Sequence, residues 1–376
     1  MGKNLLLLVA SLLSSLAIGE ALLRLSTDYP ILDSDRPYHP ALIYMMPPKM
    51  VDIDRHGFRN PDGIGQVDVA AIGDSHTYGY NVDSPESWPV LLAKENGVSV
   101  YNYGIPGYGT LQYRWLFEEA ISRRPEHILI GLYVGNDLNN YCRDVQQDYW
   151  LKAVRELGIE EPACATRKQD AETEEDGRRA SLTGRMASFW QATALGNLIE
   201  KRVREPLAEY LYESGKGVTV IKYGRHETAL ALRKVLRHGR SVDLGRESTA
   251  EAYAVFQRHL KEMARIAKAR NVRFGLLVIP TKENVFFESI DSSDNHFETL
   301  KAAVETERAF IRELTGFLRD QGIPATSALR CLQSSSGEPL YPDGIDGHPL
   351  AAGYRCYAEA AGALLTPPGH SVRQTD

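Results

Sequence analysis

The chain has 376 residues, 43% of them hydrophobic and 24% charged, enough for one large or two modest domains with a sizeable core. Its net charge of -6 excludes the broad basic surface of a nucleic-acid binder, so no nucleic-acid partner is expected. The four cysteines, Cys142, Cys164, Cys331 and Cys356, contain no CxxC pair and no zinc spacing, so no metal site is expected. Pairing of Cys142 with Cys164 and of Cys331 with Cys356 is the local solution among three, and free thiols are the alternative.

Residues 1–25 read as a signal peptide or signal anchor. Lys3 precedes an apolar run from Leu5 to Gly19, shorter than the ~20 apolar residues of a full membrane span. Cleavage after the small residues near Ala17 and retention as an anchor both fit. The helical pattern continuing through Glu20 to Leu25 favours retention, with a periplasmic or extracellular domain beyond it. Residues 26–66 are proline-rich and cannot sustain a helix, because proline lacks the amide hydrogen and clashes with the preceding turn. They read as an extended connector.

From Val67 the pattern changes. Short apolar runs, VDVAAIG (67–73), VSVYNYG (98–104), HILIGLYV (127–134), VRFGLLVIP (272–280) and IPATSAL (323–329), read as strands. Helical patterns cover 86–96, 110–123, 249–270, 298–321 and 350–364. Near-continuous apolar strands alternating with helices predict an open, doubly wound α/β fold whose parallel sheet is covered on both faces. Residues 141–248 interrupt this domain without a strong strand and read as a mainly helical insertion, a candidate cap. Within it 160–180 is charged and 188–212 looks helical. The α/β domain is thus 67–140 and 249–366.

Ligands of such sheets bind beyond the carboxyl ends of the strands. The first run ends in Gly73-Asp74-Ser75, the second in Gly104, the third near Asn136. A later turn carries Asp343, Asp346 and His348 just before a helix. Serine is a weak nucleophile without a base, and an imidazole, titrating near about pH 6.5 in isolation, can serve. Asp346, two residues before His348, can fix its tautomer; Asp343 and a bare Ser75–His348 dyad are the alternatives. Donors aimed at a developing oxyanion are worth about 3 kcal/mol each. The Ser75 and Gly104 amides and the Asn136 side chain are the candidate donors.

These blocks resemble the SGNH hydrolase, or GDSL-type esterase, family: Gly73-Asp74-Ser75 with Gly79, then Asn102-Tyr103-Gly104, Asn136-Asp137 and His348. The match spans roughly 67–140 and 272–365. It implies a flavodoxin-like three-layer fold, acyl-ester chemistry without a cofactor, Ser75 as nucleophile and His348 as base. Two positions depart from the family pattern. Val134 stands where a glycine is usual before Asn136, and Ile345 stands where the aspartate usually precedes the histidine by three residues. The Asp-x-His spacing at Asp346 resembles the membrane-anchored bacterial branch linked to exopolysaccharide O-acylation. The expected activity is hydrolysis of an O-acyl, chiefly O-acetyl, ester on a small ester or an envelope polysaccharide, with polysaccharide machinery as the implied partner. An O-acyltransferase using the same residues, a long-chain lipase and a non-catalytic glycan-binding protein are the alternatives.

Three other features have simpler readings. His76 neighbours Ser75 only in sequence. GIPGYG (104–109) lacks the lysine of a phosphate loop. Arg55 and Arg59 read as surface salt-bridge partners.

Overall fold

The five apolar runs form one sheet. The computed structural model describes residues 2–25, 36–48, 50–164, 217–335 and 337–365. The sheet strands are β1 (Val69–Gly73), β2 (Val100–Gly104), β3 (His127–Tyr133), β4 (Arg273–Ile279) and β5 (Ala325–Ser327). All neighbours are parallel and the spatial order is β2-β1-β3-β4-β5, the order of the flavodoxin-like fold. β1 and β3 are buried throughout because alternate residues enter two separate cores. Ala70, Ile72, Ile128 and Ile130 pack with Leu116 of α3 (Thr110–Ser122) and Phe256 of α4 (Glu247–Ala269). Val69, Ala71 and Leu129 pack with Trp88 of α2 (Trp88–Asn96) and Tyr357 of α6 (Ala351–Gly362). The long helix α5 (Phe297–Asp320) contributes to both cores, through Leu300 to one and Phe310 to the other. The result is a three-layer α/β/α sandwich, as the sequence pattern predicts.

One row of residues decides what the carboxyl edge can carry. Gly73 pairs with Gly104 on one side and with Gly131 on the other, so three glycines lie abreast across β2, β1 and β3. Into that hollow drops α1 (Ser75–Tyr78), a single helical turn. A Cβ at Gly73 would sit 2.0 Å from Thr77 Oγ1, one at Gly131 2.6 Å from the same atom, and one at Gly104 2.3 Å from the Tyr78 backbone nitrogen. Asn102 ties the turn down, donating from Nδ2 to Thr77 O at 3.0 Å. Gly79, at φ 87°, ends it in the left-handed region that favours glycine.

The stretch 141–248 differs from expectation where it is described. Val218–Tyr223 and His226–Ala231 form an antiparallel hairpin, followed by the helix Leu232–Ser241. The turn is two residues long, with Gly224 at φ 56°, suited to the twist of a hairpin. Its Val-Thr-Val-Ile run is short and half-exposed, so it lacks the continuous apolar character of the sheet strands. The helical pattern at 188–212 lies outside the described residues, as does most of the charged stretch 160–180. The connector is irregular over its described part, apart from the small pair Tyr38–His39 with Ile43–Tyr44. The disulfides take the local pairing, Cys142–Cys164 and Cys331–Cys356. Gly2–Leu25 is one helix, and among the described residues no helix is long and apolar enough to cross a membrane. The anchor expectation therefore gains no support here.

Gly104→Ala should displace α1, because its new methyl meets backbone rather than a side chain that can turn away. Urea unfolding should show a loss of about 1–3 kcal/mol.

Candidate active site

Ser75 opens α1 two residues beyond the end of β1. Asp74 caps the turn: its Oδ1 accepts the His76 amide at 2.9 Å, and its Oδ2 lies 3.1 Å from Ser75 Oγ. The aspartate of the Gly-Asp-Ser block is therefore a cap buried beneath the serine. Burial raises its carboxyl to about 6, against hydrogen bonds that lower it.

His348 reaches Ser75 from the far end of the chain. Its Nε2 lies 2.8 Å from Ser75 Oγ, and its Nδ1 lies 2.7 Å from Asp346 Oδ1. An ionised carboxylate only accepts, so Nδ1 carries the proton and Nε2 presents its lone pair to the serine. Asp346 Oδ1 also accepts the His348 backbone amide at 3.0 Å, closing a tight Asp-x-His turn. Burial alone would raise the Asp346 carboxyl. The hydrogen bond and charge of His348, with a hydrogen bond from Asn81, outweigh it and hold the group well below the usual carboxylate range. Asp346, rather than Asp343, is the carboxylate hydrogen-bonded to His348 Nδ1.

The expected oxyanion donors do not all stand as read from sequence. The Gly104 amide donates to Asn102 Oδ1 at 2.8 Å, so it is committed within its own strand end. That glycine is required for the steric reason above. The next glycine, Gly107, sits at φ 86° in the loop before α3. Its carbonyl is pinned by Arg143 at 2.7 Å and Asn140 at 3.2 Å, and its own amide has no hydrogen-bond partner among the described residues. Gly107 replaces Gly104 as the candidate backbone donor from this loop. The Ser75 amide lies in the first turn of α1, where helical amides lack an intrahelical partner.

Asn136 lies in the turn after β3. Its Oδ1 is buried without a partner among the described residues, where no hydrogen bond pins this amide, whose ends interchange by a flip. The turn itself is fixed by Asp137, which accepts from Tyr113 Oη at 2.7 Å and from the Tyr133 amide at 2.8 Å. Complete burial, with the nearby Asp74 charge, raises the Asp137 carboxyl well above its ordinary value, against the hydrogen bonds from Tyr113 and the Tyr133 amide. Val134 is accommodated because its amide extends the sheet ladder, donating to Ile279 O at 3.1 Å.

His76 is a wall rather than a base. It is buried, stacks on Tyr133 at 3.9 Å between ring centroids, and lies 4.8 Å from the His348 ring. Burial, with a smaller effect from His348, holds it well below the usual histidine value and keeps it neutral. Arg59 does face a salt-bridge partner, exposed Asp52 at 3.7 Å, but is itself not a surface group. It is buried and donates to Tyr78 O, Gly79 O and Val82 O, bracing the loop that leaves α1. Arg55 is exposed and bonds locally to His56. Among the described residues no cluster of three His, Cys, Asp or Glu could hold a metal.

Asn81 was not singled out by sequence. At φ 71°, it donates from Nδ2 to Asp346 Oδ2 at 2.7 Å and to His348 O at 3.3 Å. It satisfies the carboxylate oxygen that His348 leaves free. An Asn just after Tyr-Gly-Tyr, in a left-handed conformation, is the only local signal, and its partner lies 265 residues away.

No protein-family model and no curated protein matches the chain. Solved structures do. A lipolytic protein of the G-D-S-L family from Desulfitobacterium hafniense is 15% identical, with 79% of this chain and 98% of that chain covered and a TM-score of 0.36. A GDSL-like lipase from Bacteroides thetaiotaomicron is 13% identical over 79% and 87%, with a TM-score of 0.35. An acetylxylan esterase from Geobacillus stearothermophilus is 13% identical over 82% and 97%, also at 0.35. At these scores the likenesses add no weight to the geometry.

Asn81→Ala should lower kcat for ester hydrolysis about tenfold with little change in KM, the effect of one lost hydrogen bond to a charged group. Steady-state kinetics on a chromogenic ester read this directly.

Proposed function

We propose that this protein is a serine esterase that cleaves O-acyl esters through an acyl-enzyme at Ser75. The observation that carries the proposal is the unbroken chain from Ser75 Oγ to His348 Nε2, at 2.8 Å, and from His348 Nδ1 to Asp346, at 2.7 Å. Ser75 Oγ attacks the ester carbonyl while His348 Nε2 takes its proton. The tetrahedral oxyanion is held by the Ser75 amide, the Asn136 side chain and the Gly107 amide. His348 then protonates the leaving alcohol. Water, deprotonated by the same nitrogen, releases the acid and restores Ser75. Asp346 stabilises the imidazolium at each stage without taking its proton.

The finer reading is an O-acetyl ester on an envelope or extracellular polysaccharide. Tyr80 supports it: it is 46% exposed, and its ring lies 4.7 Å from that of His348, offering a flat face beside the nucleophile on which a sugar ring can pack. The two disulfides support an oxidising compartment outside the cytoplasm, consistent with an export signal at residues 1–25.

The test is hydrolysis of p-nitrophenyl acetate by wild type, Ser75→Ala and His348→Ala. Wild type should turn over and each variant should fall by about a hundredfold or more. A wild type no faster than the variants contradicts the proposal.

A further inference from the structure

The turn that carries Asp346 and His348 is held through its backbone carbonyls by donors from outside it. Thr228 Oγ1 donates to Pro342 O at 2.8 Å, and the Ala229 amide donates to Gly344 O at 3.2 Å, both from the hairpin. Lys234 Nζ, on the helix after the hairpin, donates to Ile345 O at 3.4 Å. The deepest donor is Lys282. It sits just past the carboxyl end of β4, is 2% exposed, and sends Nζ to Gly344 O at 2.5 Å and Asp346 O at 3.0 Å. It touches none of the reacting atoms. The mechanism above does not use it, and a buried ammonium is costly unless it is hydrogen-bonded, as Lys282 is to these two carbonyls.

We infer that Lys282 is a positioning residue, whose protonated ammonium grips the Gly344 and Asp346 carbonyls and so holds His348 in line with Ser75. The inference rests on the esterase reading of that site. Charge-assisted donors are roughly twice as strong as neutral ones, so the grip depends on the ammonium form. The groups that face it are Asp346 and Asp343 on the turn, Lys234 on the helix after the hairpin, and the adjacent Glu283, itself paired with His238 at 2.8 Å. The Tyr341 ring lies 5.5 Å from Nζ. Burial lowers the Lys282 ammonium to about 7, against the attraction of Asp346. A lowered lysine loses its proton as pH rises through that value. The grip is therefore full well below about 7, half lost at that pH and gone well above it, while Asp346 stays ionised throughout. Losing the grip misplaces the base by a fraction of a bond length, which is enough to cost catalysis without changing substrate affinity.

The experiment is the pH profile of kcat and KM for p-nitrophenyl acetate, from about pH 5 to about 10, with wild type, Ser75→Ala, Lys282→Met and Lys282→Arg. Circular dichroism checks that each is folded. Wild type should lose kcat on the alkaline side. Lys282→Met should have kcat down about tenfold or more with KM within about twofold, and no alkaline limb. Lys282→Arg, charged throughout, should keep part of the activity and lose the alkaline limb. If Lys282→Met does not fold, Lys282→Arg decides. Three results overturn the inference alone: an active wild type with a flat alkaline profile, a folded Lys282→Met with wild-type kcat, or an alkaline limb unchanged in Lys282→Arg. A wild type no faster than Ser75→Ala overturns the esterase reading and this inference with it.

Discussion

Everything at the carboxyl edge of this sheet depends on three glycines lying abreast. Gly104, Gly73 and Gly131 leave no side chains at one level of three neighbouring strands, and the helical turn that bears Ser75 occupies the gap. The serine is therefore set by backbone packing rather than by the reach of a flexible side chain. From this fixed point the rest follows. Asp74 caps the turn, Arg59 braces its exit, and Asn81 on that exit loop meets Asp346 on the turn that carries His348. Ser75 and His348 are thus linked twice, once directly and once through Asn81 and Asp346.

Three aspartates, Asp346, Asp137 and Asp74, sit at this edge in three different surroundings. Asp346 stays ionised because His348 and Asn81 both donate to it. Asp137 is buried, its carboxyl pushed well up by that burial, and it is a fixed acceptor for Tyr113 and the Tyr133 amide in the turn that bears Asn136. Asp74 lies between them, buried but hydrogen-bonded, and titrates near about 6. Of the three, Asp346 is the one hydrogen-bonded to the His348 ring, while Asp74 acts on it only through its charge. The same residue type serves as orienting group, structural acceptor and cap, and burial and donors decide which.

Much of this was legible in the sequence because the signals are local. All five strands were readable as short apolar runs between helical periods, and Ser75, Asn136, Asp346 and His348 stand at strand ends or in a pre-helical turn. What was not legible is what depends on distant partners. Asn81 and Lys282 look like ordinary loop and helix residues, and their roles come from carbonyls and carboxylates more than sixty positions away. Gly104 was misread because a glycine at a strand end can serve either a close backbone approach or a free amide. Here the approach of Tyr78 claims it, and Asn102 takes its amide. The hairpin was missed because its alternating, half-exposed strands lack the continuous apolar character that marks a buried parallel strand.

The central claim is that Ser75 is the nucleophile of a working triad, and covalent capture tests it most directly. The protein would be incubated with a fluorophosphonate, weighed intact by mass spectrometry, and digested to locate the adduct. One adduct per chain, on Ser75, lost in Ser75→Ala and strongly slowed in His348→Ala, is the expected result, because the hydroxyl reacts only when His348 takes its proton. An unmodified wild type, or an adduct on any residue other than Ser75, would contradict it.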